Sequence, residues 1–179
     1  SFPPPLHLAR ALPAPPRPCA RGALGAMGIS WSGGAGRGDD RVFLGIDIGG
    51  TTISVGLVND RGELVGCPES TSNGKKPRVK SEPLGADHDP SRVADRVRVL
   101  AETVLSEAGR CVDDVCGVGV ATPGLIDAAT GVVNVAANLS GWRDVPIRDL
   151  VAGALGVDRG SVVLENDTNA ALLAEVWIG

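Results

Sequence analysis

The sequence predicts an α/β fold, in which helices pack on a mixed sheet that begins with an antiparallel three-strand meander. The composition is that of a folded domain, because 43% of the residues are hydrophobic and 21% are charged, close to the average for globular proteins. Aromatic residues make up only 3% of the chain, so valine, leucine, isoleucine and alanine must form the core. No apolar run reaches the length of about 18 residues that a membrane-spanning helix needs, so no membrane partner is expected.

The first 40 residues differ in composition from the rest of the 179-residue chain. Seven of the 13 prolines lie in residues 3–18, seven of the 25 glycines lie in residues 22–38, and residues 1–38 contain four arginines and no acid. We therefore expect residues 1–40 to be a disordered extension and residues 41–179 to be the folded domain. Two interpretations of the extension remain open: an arginine-rich organelle transit peptide, or upstream sequence outside the working protein. A cytoplasmic location is expected unless the first interpretation holds.

The charge balance and the cysteine spacing argue against a nucleic-acid-binding surface and a zinc site. The 141 residues that follow residue 38 carry 13 basic and 21 acidic side chains, a balance of −8, which argues against a nucleic-acid partner. The four cysteines are scattered and the chain has only two histidines. The sequence therefore contains no cluster with the spacing of a zinc site.

The folded domain opens with two clear strand patterns. An apolar run, Val42–Ile48, ends at two glycines, and residues 53–58 then alternate in polarity, which together predict a β-hairpin. Glu63-Leu64-Val65 follows a turn and is predicted as the third antiparallel strand. Residues 68–90 are polar, with four prolines and a basic cluster at residues 75–80, and they are predicted as a solvated loop.

The second half of the sequence alternates between helices and strands. Asp89 and Pro90 suit the N-cap and first position of a helix that extends to Gly109, a residue type that commonly follows a helix end. The remaining patterns predict strands at residues 115–120, 132–135 and 161–164 and helices at residues 147–155 and 168–178. A meander followed by this alternation resembles the ribonuclease-H-like lobe of the actin-like ATPase and sugar kinase superfamily.

A glycine-rich turn between the first two strands is the first candidate site. Its glycines let backbone N–H groups approach a bound anion, and its threonine hydroxyls can donate to phosphate oxygens; the residues are Gly49, Gly50, Thr51 and Thr52. The glycines alone would equally suit an ordinary hairpin turn. Asp47 favours the functional interpretation, because an acid at the end of a buried strand is costly unless it meets a metal, water or hydroxyl groups.

The second candidate site lies where an apolar strand meets the last helix. Asp167 is the best candidate for a general base, since a carboxylate beside a sugar hydroxyl can accept its proton during phosphoryl transfer. An alternative remains open, because Asp167 or Thr168 could serve only as the N-cap of that helix.

Four segments in this order and spacing resemble the ROK family of repressors, open reading frames and kinases, whose members include glucokinases, N-acetylmannosamine kinases and fructokinases. They read GIDIGGT, GVGVATPGLID, NLSGW and ENDTNAALLAE, and they start at Gly45, Gly117, Asn138 and Glu165. The resemblance extends from about Leu44 to Gly179. Actin-like and chaperone ATPases share the fold but give no reason for Asn138 together with the Asn166-Asp167 pair.

The resemblance implies ATP-dependent phosphorylation of a hexose, most readily glucose, by a protein that is homo-oligomeric at full length. Asp167 would be the base, and Asp47 would orient Mg²⁺ through water, with no direct metal ligand expected in this segment. The implied sugar-binding residues are Gly124, Asn138, Asn166 and Asp167. The implied ATP-phosphate-binding residues are Gly49, Gly50, Thr51 and Thr52.

The family's ExGH segment, its cysteine-rich zinc motif and its second phosphate motif do not occur up to Gly179. The folded domain is therefore interpreted as the N-terminal lobe, with zinc expected only in the second lobe. Two alternatives stay open: a truncated, non-catalytic fragment that binds sugar or phosphate, and a sugar-responsive transcriptional regulator of the same family. A regulator needs an upstream helix-turn-helix, and residues 1–41 are too rich in proline and glycine to form one.

Overall fold

The computed structural model describes residues 41–65 and 79–178. The predictions for residues 1–40 and for residues 66–78 of the basic loop lie outside the described residues. In chain order the elements are β1 (Val42–Ile48), β2 (Thr52–Asn59), β3 (Lys80–Pro83), α1 (Pro90–Glu107), β4 (Val115–Thr122), β5 (Leu125–Asp127), β6 (Val132–Val135), β7 (Arg143–Val145), α2 (Ile147–Leu155), β8 (Val162–Asn166) and α3 (Asp167–Ile178).

Five strands form one mixed sheet in the order β3-β2-β1-β4-β8. β2 is antiparallel to both β1 and β3, whereas β1, β4 and β8 run parallel to one another. β5, β6 and β7 form a separate antiparallel sheet. The predicted α/β architecture with an antiparallel three-strand meander is therefore confirmed.

The third strand of the meander is not the predicted one. Leu64 makes only an isolated bridge to Val58, and the third strand is β3, inside the segment that was predicted as a loop. β3 contains no fully buried residue, because a short strand at a sheet edge needs backbone pairing rather than an apolar face. Such a strand leaves no hydrophobic alternation in the sequence.

Arg96, on α1, holds this edge strand in place. Its guanidinium donates to Glu82 Oε1 at 2.5 Å, to the Leu84 carbonyl at 2.7 Å and to the Pro83 carbonyl. One long side chain thus joins the first helix to the end of β3. The position of β3 depends on this tertiary contact as well as on pairing with β2.

The helix α1 confirms the predicted start and end. The Asp89 carboxylate accepts from the N–H groups of Ser91 at 3.1 Å and Arg92 at 3.0 Å, and Gly109, just past the end, has a φ of 66°. Both features satisfy backbone groups that a helix end leaves without intrahelical partners. The buried face consists of Val93, Ala94, Val97, Leu100, Ala101, Val104 and Leu105.

The other predicted strands and helices of the second half all occur, and two short strands were not predicted. β5 and β7 have three residues each, and Leu125 at the start of β5 is 66% exposed. Strands this short and exposed show no buried alternation. They form because each pairs with one side of β6.

The core lies on one face of the five-stranded sheet, under α1 and α2. In β1 the side chains of Leu44, Ile46 and Ile48 are buried, whereas Gly45 and Asp47 point to the other face and are exposed. A groove of about 510 Å³ runs along that second face, between the sheet and α3. The sheet therefore has one packed face and one open face among the described residues.

The last helix, α3, is poorly covered. Four of its large apolar side chains are between 58% and 79% exposed; they are Leu172, Leu173, Val176 and Trp177. A contiguous apolar surface of this kind is typical of a contact with another part of a protein or with a partner. No helix in the described part of the chain combines the length and the hydrophobicity needed to cross a membrane.

Thr122, at the end of β4, is a fully buried polar residue. Its Oγ1 donates to the carbonyl oxygen of Ile48 at 3.1 Å. Ile48 is the last residue of β1 and precedes the glycine turn directly. Threonine is common in strands, so no sequence pattern distinguishes this hydroxyl from others.

Replacing Thr122 with valine is expected to lower the free energy of unfolding by about 1–3 kcal/mol, because the isosteric side chain leaves the Ile48 carbonyl without its buried donor. Serine at the same position keeps the hydroxyl and serves as the matched control. Urea denaturation of the three proteins measures the effect. A valine variant as stable as the wild type would show that the hydrogen bond contributes nothing.

Candidate active site at the carboxyl ends of the parallel strands

Three parallel strands end at the same edge of the sheet. In the register of β1, β4 and β8, Asp47 pairs with Ala121 and Thr122 pairs with Asn166. The segments that follow these strands therefore start side by side, at the edge where open α/β sheets bind ligands. These segments contain the glycine turn, Gly124 and Asp167, so the structure brings the two candidate sites together.

The glycine turn packs directly against the loop that carries Asn138. The N–H of Gly49 donates to the carbonyl of Thr52 at 2.9 Å and closes the turn, with Thr51 exposed at its tip. A Cβ at Gly50 would lie 2.8 Å from the Cβ of Asn138, so only glycine permits this approach. The contact joins the predicted phosphate turn to a predicted sugar-binding residue.

Gly124, after β4, occupies a position that only glycine can take. Its φ is 116°, and a Cβ there would overlap the carbonyl oxygen of Val135 and lie 2.9 Å from the Cα of Ala136. The carbonyl of Gly124 accepts a hydrogen bond from Asn166 Nδ2 at 3.1 Å. The Gly124 loop is therefore tied to the end of β8.

The residue that caps α3 is Asn166. Its Oδ1 accepts from the backbone N–H groups of Thr168 at 3.0 Å and Asn169 at 3.3 Å. Asp167 is the first residue of the helix, and its Oδ1 accepts from the N–H of Thr168 at 2.7 Å and from the Thr168 hydroxyl at 3.3 Å. The capping role that the sequence left open for Asp167 or Thr168 thus falls to Asn166.

Asp47 lies in the lining of the open-face groove, near enough to Asp167 for the two charges to interact. Although Asp47 is accessible to solvent, the protein atoms around its carboxylate partly desolvate it and raise its pKa, and the negative charge of Asp167 raises the pKa further. Two carboxylates that repel each other are stabilised by a bound cation. A cation bound near both strand ends would therefore relieve this repulsion.

Replacing Asp47 with asparagine is expected to stabilise the chain at neutral pH. The folded-state pKa of Asp47 is raised above its ordinary value of 3.8, so the ionised carboxylate opposes folding once the pH exceeds the raised pKa. Below the ordinary value the group is protonated in both states and the penalty disappears.

Urea denaturation from about pH 3 to about pH 8, a range that spans aspartate titration, measures this difference. The gain in free energy of unfolding should be present at the upper end and absent at the lower end. An Asp47→Asn variant that is no more stable than the wild type at the upper end would contradict the electrostatic assignment.

Within residues 41–65 and 79–178, no group of three or more acidic, histidine or cysteine side chains could hold a metal ion. Mg²⁺ does not need such a group, because it keeps several waters and binds through one or two carboxylates plus substrate phosphates. Asp47 and Asp167 are carboxylates of this kind, beside a turn suited to phosphates. The donor set therefore fits Mg²⁺ bound together with a nucleotide.

A protein-family model matches the whole of this site. The model, described as the ROK family, matches residues 43–179, a range that includes all three strand ends, the glycine turn and the Asn138 loop. The chain belongs to the ROK family. The strand-edge site is thus part of a ROK domain.

Relatives with known activities cover the same region of this ROK domain. The chain is 34% identical to a glucokinase from Thermotoga maritima over 140 residues. The aligned region covers 76% of this chain and 37% of that protein. It matches the crystal structure of a ROK hexokinase from Thermus thermophilus with a TM-score of 0.58 and 33% identity, over 75% of this chain and 38% of that chain. The expected actin-like ATPase and sugar kinase fold is confirmed, and the chain spans well under half the length of these relatives.

Two further matches differ in what they bind or do. A ROK family glucokinase from Streptomyces griseus, solved in complex with glucose and AMPPNP, matches with a TM-score of 0.57 and 27% identity, over 77% of this chain and 37% of that chain. A xylose repressor from Caldicellulosiruptor bescii is 30% identical to this chain over 137 residues. The aligned region covers 76% of this chain and 30% of that protein. The same ROK domain therefore occurs in sugar kinases and in repressors.

Proposed function

We propose that this chain is the N-terminal lobe of an ATP-dependent hexose kinase, with glucose as the first substrate to test. The observation that carries the proposal is the position of Asp167. Asp167 begins α3 at the carboxyl ends of the parallel strands, and its charge interacts with that of Asp47. The N-cap of α3 is Asn166. Thr168 binds only Oδ1 of Asp167, through its N–H at 2.7 Å and its hydroxyl at 3.3 Å, so Oδ2 is the oxygen proposed to meet the substrate.

Asp167 is proposed as the general base. A carboxylate within hydrogen-bond reach of a sugar hydroxyl accepts its proton as that oxygen attacks the terminal phosphorus of ATP. The oxygen–phosphorus bond to the sugar forms, the bond to the leaving ADP breaks, and the proton passes to Asp167. The remainder of the rate acceleration comes from positioning and from electrostatic stabilisation of the phosphoryl group.

The hexose is proposed to lie beside Asn138, Asn166 and Gly124. The Asn166 amide uses Oδ1 for the helix and one N–H for the Gly124 carbonyl, so its second N–H remains for a sugar hydroxyl. Asn138 is exposed next to the glycine turn. Amide groups of this kind pair with the hydroxyls of a neutral polyol.

The nucleotide phosphates are proposed to lie on the turn formed by Gly49, Gly50, Thr51 and Thr52. The N–H of Gly49 closes the turn by donating to the Thr52 carbonyl, so contacts to a compact anion would come from the other N–H groups of the turn and from the hydroxyls of Thr51 and Thr52. Asp47 would orient Mg²⁺ through water, and this cation would neutralise charge on the phosphates. The AMPPNP complex of the Streptomyces griseus glucokinase supports ATP as the donor.

The kinase proposal and the regulator alternative differ in one measurable reaction. The experiment is a coupled ADP-release assay on the longer protein that contains this lobe, with glucose, N-acetylmannosamine, fructose and xylose. A kinase releases ADP in proportion to sugar, whereas a regulator binds sugar without releasing ADP. Sugar binding with no ADP release for any hexose would overturn the kinase proposal.

The 179-residue chain alone is expected to show no measurable phosphorylation of a hexose. Phosphoryl transfer requires donor and acceptor to be held in line in a closed cleft, and such positioning supplies about 7–11 kcal/mol of the barrier. The chain spans only 37% of the Thermotoga maritima glucokinase, and the apolar side chains of α3 are exposed. Both observations support a second lobe that completes the site.

The same ADP-release assay tests this expectation, with the chain and a full-length ROK glucokinase measured side by side. Sugar-dependent turnover by the chain within about tenfold of the full-length enzyme, a difference of only about 1.4 kcal/mol in barrier, would contradict the need for a second lobe.

A further inference from the structure

His88 holds the loop that carries Asn138 through both its side chain and its backbone. The imidazole Nδ1 accepts a hydrogen bond from the backbone N–H of Ser140 at 2.8 Å, and the His88 carbonyl accepts from the indole N–H of Trp142 at 2.7 Å. His88 directly precedes Asp89, the N-cap of α1. The loop is therefore tied to the start of the first helix.

These contacts define the tautomer of the imidazole. Because a backbone N–H can only donate, Nδ1 carries the lone pair and Nε2 carries the proton. Nε2 lies 3.0 Å from the carbonyl oxygen of Gly85 and donates to it. Both ring nitrogens are thus used, and the half-buried ring is held in one orientation between the β3–α1 connection and the Asn138 loop.

Asn138 lies between two supports. On one side it packs so close to the glycine turn that a Cβ added at Gly50 would lie 2.8 Å from the Asn138 Cβ and 3.2 Å from its carbonyl oxygen. The next residue, Leu139, is only 1% exposed and anchors the loop in the core. Two residues beyond Asn138, the backbone of Ser140 meets the His88 ring, so a change at this bond is transmitted to Asn138 through one intervening residue.

We infer that His88 is a positioning residue for hexose binding, which keeps Asn138 at the sugar site by holding the backbone of Ser140. This inference rests on the proposed function, in which Asn138 binds a sugar hydroxyl. Such a contact is made equally with the bound sugar and in the transition state, so its loss raises KM and leaves kcat nearly unchanged. Asp167 belongs to α3, a different element, and keeps its place when the loop shifts.

Three variants separate the two hydrogen bonds of the ring. His88→Ala removes both of them. His88→Asn places an amide oxygen near the position of Nδ1 and keeps the acceptor for Ser140, whereas His88→Gln reaches the position of Nε2 and lacks that acceptor. The asparagine and glutamine variants are thus matched in chemistry and differ in which bond they preserve.

In the longer protein we expect the KM for glucose to rise about tenfold in the alanine and glutamine variants. This factor corresponds to the free energy that one hydrogen bond contributes to holding Asn138 in place. We expect kcat to stay within about twofold and the asparagine variant to restore the wild-type KM. Amide hydrogen exchange of Ser140, measured on the 179-residue chain without any activity assay, should be faster in the alanine and glutamine variants and normal in the asparagine variant.

The outcomes separate this inference from the proposed function. If the wild type phosphorylates glucose and His88→Ala leaves KM unchanged, the inference is overturned and the kinase proposal stands. If the asparagine variant fails to restore KM, or if kcat and kcat/KM fall equally, His88 has only a general structural role and the inference is again overturned. If the wild type phosphorylates no hexose, the kinase proposal fails, and hydrogen exchange alone decides the inference: unchanged exchange of Ser140 in the alanine variant overturns it.

Discussion

Replacing Asp167 with asparagine is expected to lower the rate of hexose phosphorylation about 10²–10⁴-fold, the usual contribution of a positioned general base. The amide keeps the size and most of the hydrogen bonding of the carboxylate but cannot accept the proton of the attacking hydroxyl. The affinity for the sugar should change little. Steady-state ADP release by the longer protein measures kcat and KM for both forms.

The fold should tolerate this change, because Asn166 caps α3 through Thr168 and Asn169. The matched control is Asp95→Asn, which removes an exposed carboxylate on α1, an element that carries none of the proposed site residues. The control should retain full activity. Near-normal turnover in the Asp167→Asn variant would show that this carboxylate only supports the start of the helix.

Replacing Gly124 with alanine is expected to lower the free energy of unfolding by about 2–6 kcal/mol, from backbone strain and overpacking of about 1–3 kcal/mol each. The strain arises because φ is 116° at this position. The overpacking arises because the new Cβ would overlap the backbone of Val135 and Ala136. Since Asn166 also binds the Gly124 carbonyl, the variant should lose sugar binding along with stability.

Two other glycines separate these causes. Gly141 has a φ of 81°, but a Cβ added there would have no neighbour within 4 Å, so its alanine variant should show only the strain, about 1–3 kcal/mol. Gly153 lies in α2 with a helical φ and open space, so alanine there should stabilise by about 0.5–1 kcal/mol. Thermal and urea unfolding should therefore show that the alanine variant at Gly124 is the least stable, the variant at Gly141 is intermediate and the variant at Gly153 is the most stable. A Gly124 variant as stable as the Gly141 variant would refute the overpacking.

The sequence by itself determined the elements whose residues carry a local pattern. β1 and β2 follow from apolar runs on either side of two glycines, and α1 follows from Asp89, Pro90 and apolar residues at helical spacing. The family also followed from the sequence, because four short segments occur in the right order. In each case the information lies within a few neighbouring residues, so no knowledge of the rest of the fold is required.

The tertiary structure alone decided which polar residues meet. β3 is a strand because β2 offers it a free edge and Arg96 binds its end, although its sequence is that of a loop. The helix cap fell to Asn166 and not to Asp167, because hydrogen-bond geometry at a strand–helix junction depends on backbone angles that neighbouring residue types leave undetermined.

The assembly of the site was decided in the same way. Gly50 meets Asn138, and His88 meets Ser140, across 88 and 52 positions of the chain respectively. Local periodicity carries no information about such pairs. They are brought together by the order and direction of strands in the sheet, which result from packing the apolar faces of all the elements into one core.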